Sequence, residues 1–155
     1  MIFEFDKLGY LQPYHLVECD LDDLKANFVD AFPLSNTRQG LWNYYIQYVD
    51  DLQQHITPHF AQWIDGSFIT QALDPKDIDL VTFIDTQVFK EKESDLEGYW
   101  SFALEDQGLD AYLVEVYQEN SDQYQQLTVH YRNLWLNRFG KDREGKPKGL
   151  IQIKF

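Results

Sequence analysis

The loop Ile64-Asp65-Gly66-Ser67-Phe68-Ile69-Thr70 is followed by Pro75-Lys76-Asp77-Ile78-Asp79-Leu80, with nine residues between Ser67 and Asp77 (77 − 67 − 1 = 9). In a strand, residues i and i+2 share a face. Asp77 and Asp79 therefore project together, while Ile78 and Leu80 face a core. Two carboxylates side by side repel each other, and a hard divalent cation with oxygen ligands removes that penalty. Asp110 opens another apolar run, Leu109-Asp110-Ala111-Tyr112. If that run lies beside the first, three carboxylates converge. Three are enough to hold two Mg²⁺ (or Mn²⁺), about 4 Å apart, for an in-line phosphoryl displacement. Gly66 lets a phosphate approach the backbone without meeting a Cβ, and the Ser67 hydroxyl and N–H can donate to phosphate oxygens. Thr70 and Lys76 complete the candidate phosphate-binding set, although an isolated lysine also reads as a solvated side chain. The competing reading makes Asp77 a turn residue after Pro75 and leaves Asp79 and Asp110 as exposed strand acids.

The elements that must position these residues can be read from periodicity. Residues 1–59 read as an extended lead-in followed by helices. Asp20 is a candidate N-cap for an apolar stripe of Leu21, Leu24 and Phe28, stopped by Pro33. Ser35 or Asn36 caps a second helix, in which Leu41, Tyr44, Tyr45, Tyr48 and Leu52 repeat at helical spacing. Thr57-Pro58 ends it. Residues 60–120 carry the candidate catalytic strands, Phe60–Ile64, Ile78–Ile84 and Leu109–Tyr117. Ser94 with Glu97 is a capping-box pattern that predicts a helix reaching Leu104. Residues 121–155 predict a helix capped by Ser121 or Asp122 and closed by Gly140, a basic hairpin, and a last strand, Leu150–Phe155. No linker or repeat divides the chain. One α/β (α+β) domain spanning 1–155, a mixed sheet packed with helices, is the expectation.

Composition sets the limits. The 155 residues hold 13 Lys+Arg and 26 Asp+Glu, a net charge of −13, with 44% hydrophobic and 16% aromatic residues. The aromatic load excludes disorder despite the charge. One cysteine, Cys19, excludes an intrachain disulfide and a cysteine-based zinc site, and fits a reducing, cytoplasmic setting. No apolar run approaches the roughly 20 residues of a membrane helix, and the first residues do not read as a secretory signal. A pI near 4.5 argues against duplex DNA as a partner. The charge is uneven, however. Residues 61–110 hold 12 acids and 3 bases, or −9, while residues 132–155 hold 2 acids and 7 bases, or +5. Arg138, Lys141, Arg143, Lys146 and Lys148 fall among Gly140, Gly145, Pro147 and Gly149. Such a loop reads either as a fold over a triphosphate or RNA backbone, or as a solubilising hairpin.

Other candidates are weaker. His55 and His59 are four apart, but Pro58 interrupts the turn between them. Ser67 lacks the flanking glycines of a hydrolase nucleophile elbow. The tyrosine-rich second helix reads as a packed face rather than a base-stacking platform. No dinucleotide fingerprint or Walker loop is present.

Gly66-Ser67, Asp77-Ile-Asp79 and Asp110 resemble the signature of the nucleotidyltransferase superfamily that includes DNA polymerase β. The chain is also similar to a small bacterial nucleotidyltransferase-like family. That likeness rests on Phe5-Asp6…Gly9-Tyr10-Leu11…Pro13, the Asp65–Thr70 loop, Pro75–Asp79 and Phe139–Gly149. The resemblance implies a mixed sheet with helices on one side. It implies that Asp77 and Asp79 coordinate both metals, and that Asp110 ligates the catalytic metal and helps deprotonate the attacking group. Gly66 and Ser67 would hold the β- and γ-phosphates of ATP or another nucleoside triphosphate, and a nucleoside monophosphate would pass to a protein or RNA acceptor. Small members of the superfamily often work beside a toxin partner, so a toxin–antitoxin or phage-defence role follows by analogy alone. Larger relatives carry a separate acceptor domain. With none after residue 155, the helical N-terminal half or a partner would do that job, or the chain would be a catalytically inactive nucleotide or RNA sensor.

Overall fold

The strand β5 (Ile78–Asp85) is buried at almost every position because both of its faces are covered. It lies inside a five-stranded sheet of order β3-β7-β4-β5-β6. The other members are β3 (Leu16–Glu18), β4 (Ala61–Asp65), β6 (Leu109–Val116) and β7 (Leu150–Lys154). Pairs β3–β7 and β5–β6 are parallel, and β4 runs antiparallel to both β5 and β7. A separate two-stranded ribbon joins β1 (Glu4–Phe5) to β2 (Leu11–Gln12). The computed structural model describes the whole chain apart from the side chains of Phe102 and Glu105. The architecture is a mixed α+β single domain, as expected.

Side-chain alternation divides the sheet into two faces. Ile64, Ile78, Leu80, Ile84, Leu109, Ala111 and Leu113 point to one face. They bury against α2 (Arg38–His55) through Leu41, Tyr45, Tyr48, Val49 and Leu52. Trp42, Tyr45 and Tyr48 are buried, so most of this helix's aromatics are core, while Tyr44 stays 44% exposed. On the opposite face Trp63, Val81, Phe83, Val114 and Leu150 pack with Phe139 and Trp135 of α6 (Val129–Phe139). Helices thus cover both faces, which corrects the one-sided arrangement that the resemblance implies. The Trp63, Val81 and Phe83 side chains alternate out of the main core and need a second cover.

Asp20 caps α1 (Leu21–Lys25), accepting from the Asp23 N–H at 2.7 Å. Between β5 and β6 the structure departs from the single capped helix expected from Ser94 and Glu97. Asp85 caps a first helix, α3 (Thr86–Glu91), accepting from the Gln87 N–H. Ser94 lies inside the next, α4 (Glu93–Leu96). Beyond Gly98, Trp100 is extended before α5 (Ser101–Leu104). A glycine and an extended residue break the pattern, and Leu96 buries its turn instead.

Candidate active site

Sheet register builds the acidic wall. Asp65 at the end of β4 pairs with Asp79 of β5, and Asp79 pairs with Asp110 of β6. Three aspartates therefore lie in one row across adjacent strands. All three alternate away from the α2 core, onto the face that α6 covers, beyond its last residue, Phe139. Asp77 precedes β5 and lines the same cavity as the row. That cavity measures about 500 Å³. Asp77, Asp79 and Asp110 were legible from spacing. Asp65 was not, because only the antiparallel β4–β5 pairing brings it opposite Asp79.

Gly66 makes the close approach possible. Its backbone has φ +79° and ψ −167°, a region open only to glycine. A Cβ there would sit 1.7 Å from Asp79 Oδ2. The chain then turns through Ser67–Ile69 as a single 3₁₀ turn, and Ser67 lines the cavity. Thr70 lines it too, but its hydroxyl donates to the Ser67 carbonyl at 2.8 Å, so it locks the turn. Lys76 does not join the cavity. It is exposed and borders an adjoining groove with Asp77, Asp110, Ser101 and Gly108.

Buried Arg38 holds this loop from behind. Its guanidinium donates to the carbonyls of Phe28 (2.7 Å), Phe68 (2.6 Å), Thr70 (2.9 Å) and Ala72. It also stacks over the Phe32 ring at 3.9 Å. No sequence motif announces this role, since the four acceptors are main-chain atoms.

Electrostatics differ among the four acids. Burial pushes Asp79 up to about 6, helped by the charges of Asp77, Asp65 and Asp110. Asp65 is 5% exposed. Burial pushes it up to about 6 even though Lys148 Nζ pairs with Oδ2 at 2.8 Å. Desolvation outweighs the ion pair here. The other Asp65 oxygen, Oδ1, is buried without a hydrogen-bond partner. Asp77 is raised by burial and then by Asp110, with Lys76 and Arg143 opposing. Asp110 accepts from Ser101 Oγ at 2.6 Å and from the Tyr112 hydroxyl at 3.4 Å.

Among the described residues, no group of three or more His, Cys, Asp or Glu side chains stands ready to enclose a metal ion. The carboxylates share a cavity without closing round a common point. Uncompensated like charges keep apart, and two of the four have turned to Lys148 and Ser101. The donor set still fits a hard cation. Every candidate ligand is a carboxylate oxygen, one buried oxygen is orphaned, and no soft ligand intrudes.

The cavity also carries basic side chains. Arg138, Lys141, Arg143 and Lys148 line the same cavity, all from the C-terminal segment. The cations that line this cavity thus come from the C-terminal segment, while Lys76 lines the adjoining groove. No helix is long and apolar enough to cross a membrane. No curated protein and no solved structure matches the chain. The profile of a family of unknown function, DUF6932, matches residues 3–154, and the chain belongs to that family.

Proposed function

We propose that the protein is a metal-dependent nucleotidyltransferase, moving a nucleoside monophosphate from a nucleoside triphosphate to a protein or RNA acceptor in the cytoplasm. The observation that carries this reading is the aspartate row in register across β4, β5 and β6, with Gly66 directly beneath Asp79. Asp77, Asp79 and Asp110 would hold the cation. When bound, Mg²⁺ or Mn²⁺ neutralises charge on the phosphoryl oxygens and the leaving group. The remaining work falls to the chain. Gly66 leaves room for phosphate oxygens beside the backbone. The Ser67 hydroxyl and N–H donate to them, on a turn that Thr70 and Arg38 hold fixed. Asp110 accepts the proton of the attacking hydroxyl at its carboxylate oxygen, in the place where Ser101 Oγ now donates.

That same Ser101 contact favours a second reading. Asp110 engaged by two hydroxyls suits a catalytically inactive nucleotide sensor as well as a resting enzyme. Incubation with labelled ATP, CTP, GTP and UTP, Mg²⁺ or Mn²⁺ and a crude lysate separates the two. Transfer of label that is lost in Asp77→Asn and Asp79→Asn supports catalysis. Metal-dependent nucleotide binding without transfer supports the sensor, and neither binding nor transfer defeats both.

A further inference from the structure

Lys141 and Arg143 line the cavity together with the four aspartates, yet neither forms an ion pair among the described residues. Flexible cations near carboxylates ordinarily collapse onto them. Here the segment that carries them is strapped down. Asp142 Oδ1 accepts from the Glu144 and Lys146 N–H groups, each at 2.8 Å, and Asp142 Oδ2 accepts from the Tyr10 hydroxyl at 2.8 Å. The Lys148 N–H donates to Gly140 O at 3.0 Å, and the Gly149 N–H to Leu11 O at 2.9 Å. A Cβ on Gly149 would lie 2.7 Å from Pro13 O, so only glycine lets the two strands of backbone meet there. Lys148 itself is spent on Asp65 and anchors the segment to the acidic wall. Arg138 is held with its guanidinium 4.7 Å from the Tyr112 ring and 4.9 Å from the Trp135 ring. Its Nη2 donates to the Tyr112 hydroxyl at 3.1 Å.

The result is a cavity that holds four carboxylates together with two cations, Lys141 and Arg143, that have no ion-pair partner among the described residues. A ligand that presents a cation to the carboxylates and anionic oxygens to the lysine and arginine satisfies both. The orphaned Oδ1 of Asp65, in a side chain 5% exposed, shows that the acidic wall is also short of a partner. We infer that the C-terminal segment is an anion wall, in which Arg138, Lys141 and Arg143 bind the phosphate chain of a metal-complexed polyphosphate. This rests on the transferase reading only in so far as the polyphosphate is a nucleoside triphosphate. A cavity of about 500 Å³ suits a triphosphate tail, and a folded nucleic acid would have to remain outside it.

The test is calorimetric titration of the full chain with inorganic tripolyphosphate in Mg²⁺. Tripolyphosphate should bind. Lys141→Ala and Arg143→Ala should each weaken it by about tenfold, as loss of a charge-assisted hydrogen bond does. Lys25→Ala, whose lysine pairs with Asp30 on the surface, should leave it unchanged. Melting curves establish that each variant is folded. Wild-type affinity in a folded Lys141→Ala/Arg143→Ala double variant overturns the assignment. So does absence of binding to the folded wild type, or tighter binding of a single-stranded RNA with the same sensitivity to both substitutions. Tripolyphosphate binding without label transfer from any nucleotide sinks the transferase alone. Transfer with an unchanged KM in the double variant sinks the anion wall alone.

Discussion

Replacing Asp79 by asparagine should make the metal-free protein more stable at alkaline pH. Asp79 stands in register between Asp65 and Asp110, and burial together with three neighbouring carboxylates pushes it up to about 6 from its ordinary 3.8. A carboxyl raised in the folded state binds its proton more tightly there than in the unfolded chain. Its ionisation therefore costs stability above about pH 6. The cost fades as pH falls, and is gone below about pH 4, where both states are protonated. The difference between 6 and 3.8 corresponds to about 3 kcal/mol as an upper bound. Because Asp79 is only half-buried, solvent screening reduces this to about 1–2 kcal/mol. For a domain of this size that is a gain of roughly 3–6 °C in Tm. Asparagine keeps the shape beside Gly66 and removes the charge. The assay is differential scanning calorimetry in EDTA at pH 8 and pH 4. Asp79→Asn should melt higher than wild type at pH 8 and level with it at pH 4. An equal or lower Tm at pH 8, or a gain that persists at pH 4, would refute the electrostatic account.

Mg²⁺ should stabilise wild type at pH 8 by about 1.4 kcal/mol at ten times Kd, seen as a rise in Tm, and stabilise Asp79→Asn much less. Equal gains in the two proteins would place the ion elsewhere. Gly66→Ala should cost at least about 2 kcal/mol, from a backbone conformation alanine cannot adopt and a Cβ overlapping Asp79 Oδ2. Urea unfolding measures this, and a loss under 0.5 kcal/mol on the order expected of a surface change would contradict it. Arg38→Met should cost roughly 3–5 kcal/mol by unpairing four carbonyls, and should speed amide exchange in residues 66–72 before anywhere else. Uniform loss of protection along the chain would deny Arg38 its special hold on the loop.

What the sequence disclosed follows the range of the interactions involved. Asp77 and Asp79 share a face through a local rule, the period of a strand, and Asp110 needs only one further assumption, that β6 lies beside β5. The Asp20 cap and the α2 stripe are likewise local. Asp65 lies twelve residues before Asp77 (77 − 65 = 12), but its role depends on antiparallel register with Asp79, which no spacing encodes. Lys76 stays beside Asp77 and Asp110 but lines the adjoining groove rather than the main cavity. The cations that reach it come from residues 138–148, brought there when β7 pairs with β4. Arg38 was invisible because its partners are carbonyls, which every residue has.

The aspartate row is what a sheet built for stability alone avoids, since like charges directly across strands destabilise the pairing. The fold compensates two of its members. Lys148 meets Asp65, and the hydroxyls of Ser101 and Tyr112 meet Asp110. Asp79, the middle one, has no hydrogen-bond partner among the described residues, and the glycine below brings its carboxylate closer to the backbone rather than offering it a donor. An uncompensated charge at the centre of the row, in a cavity that Lys141 and Arg143 also line, is therefore a place where a bound cation and the anion it carries gain most.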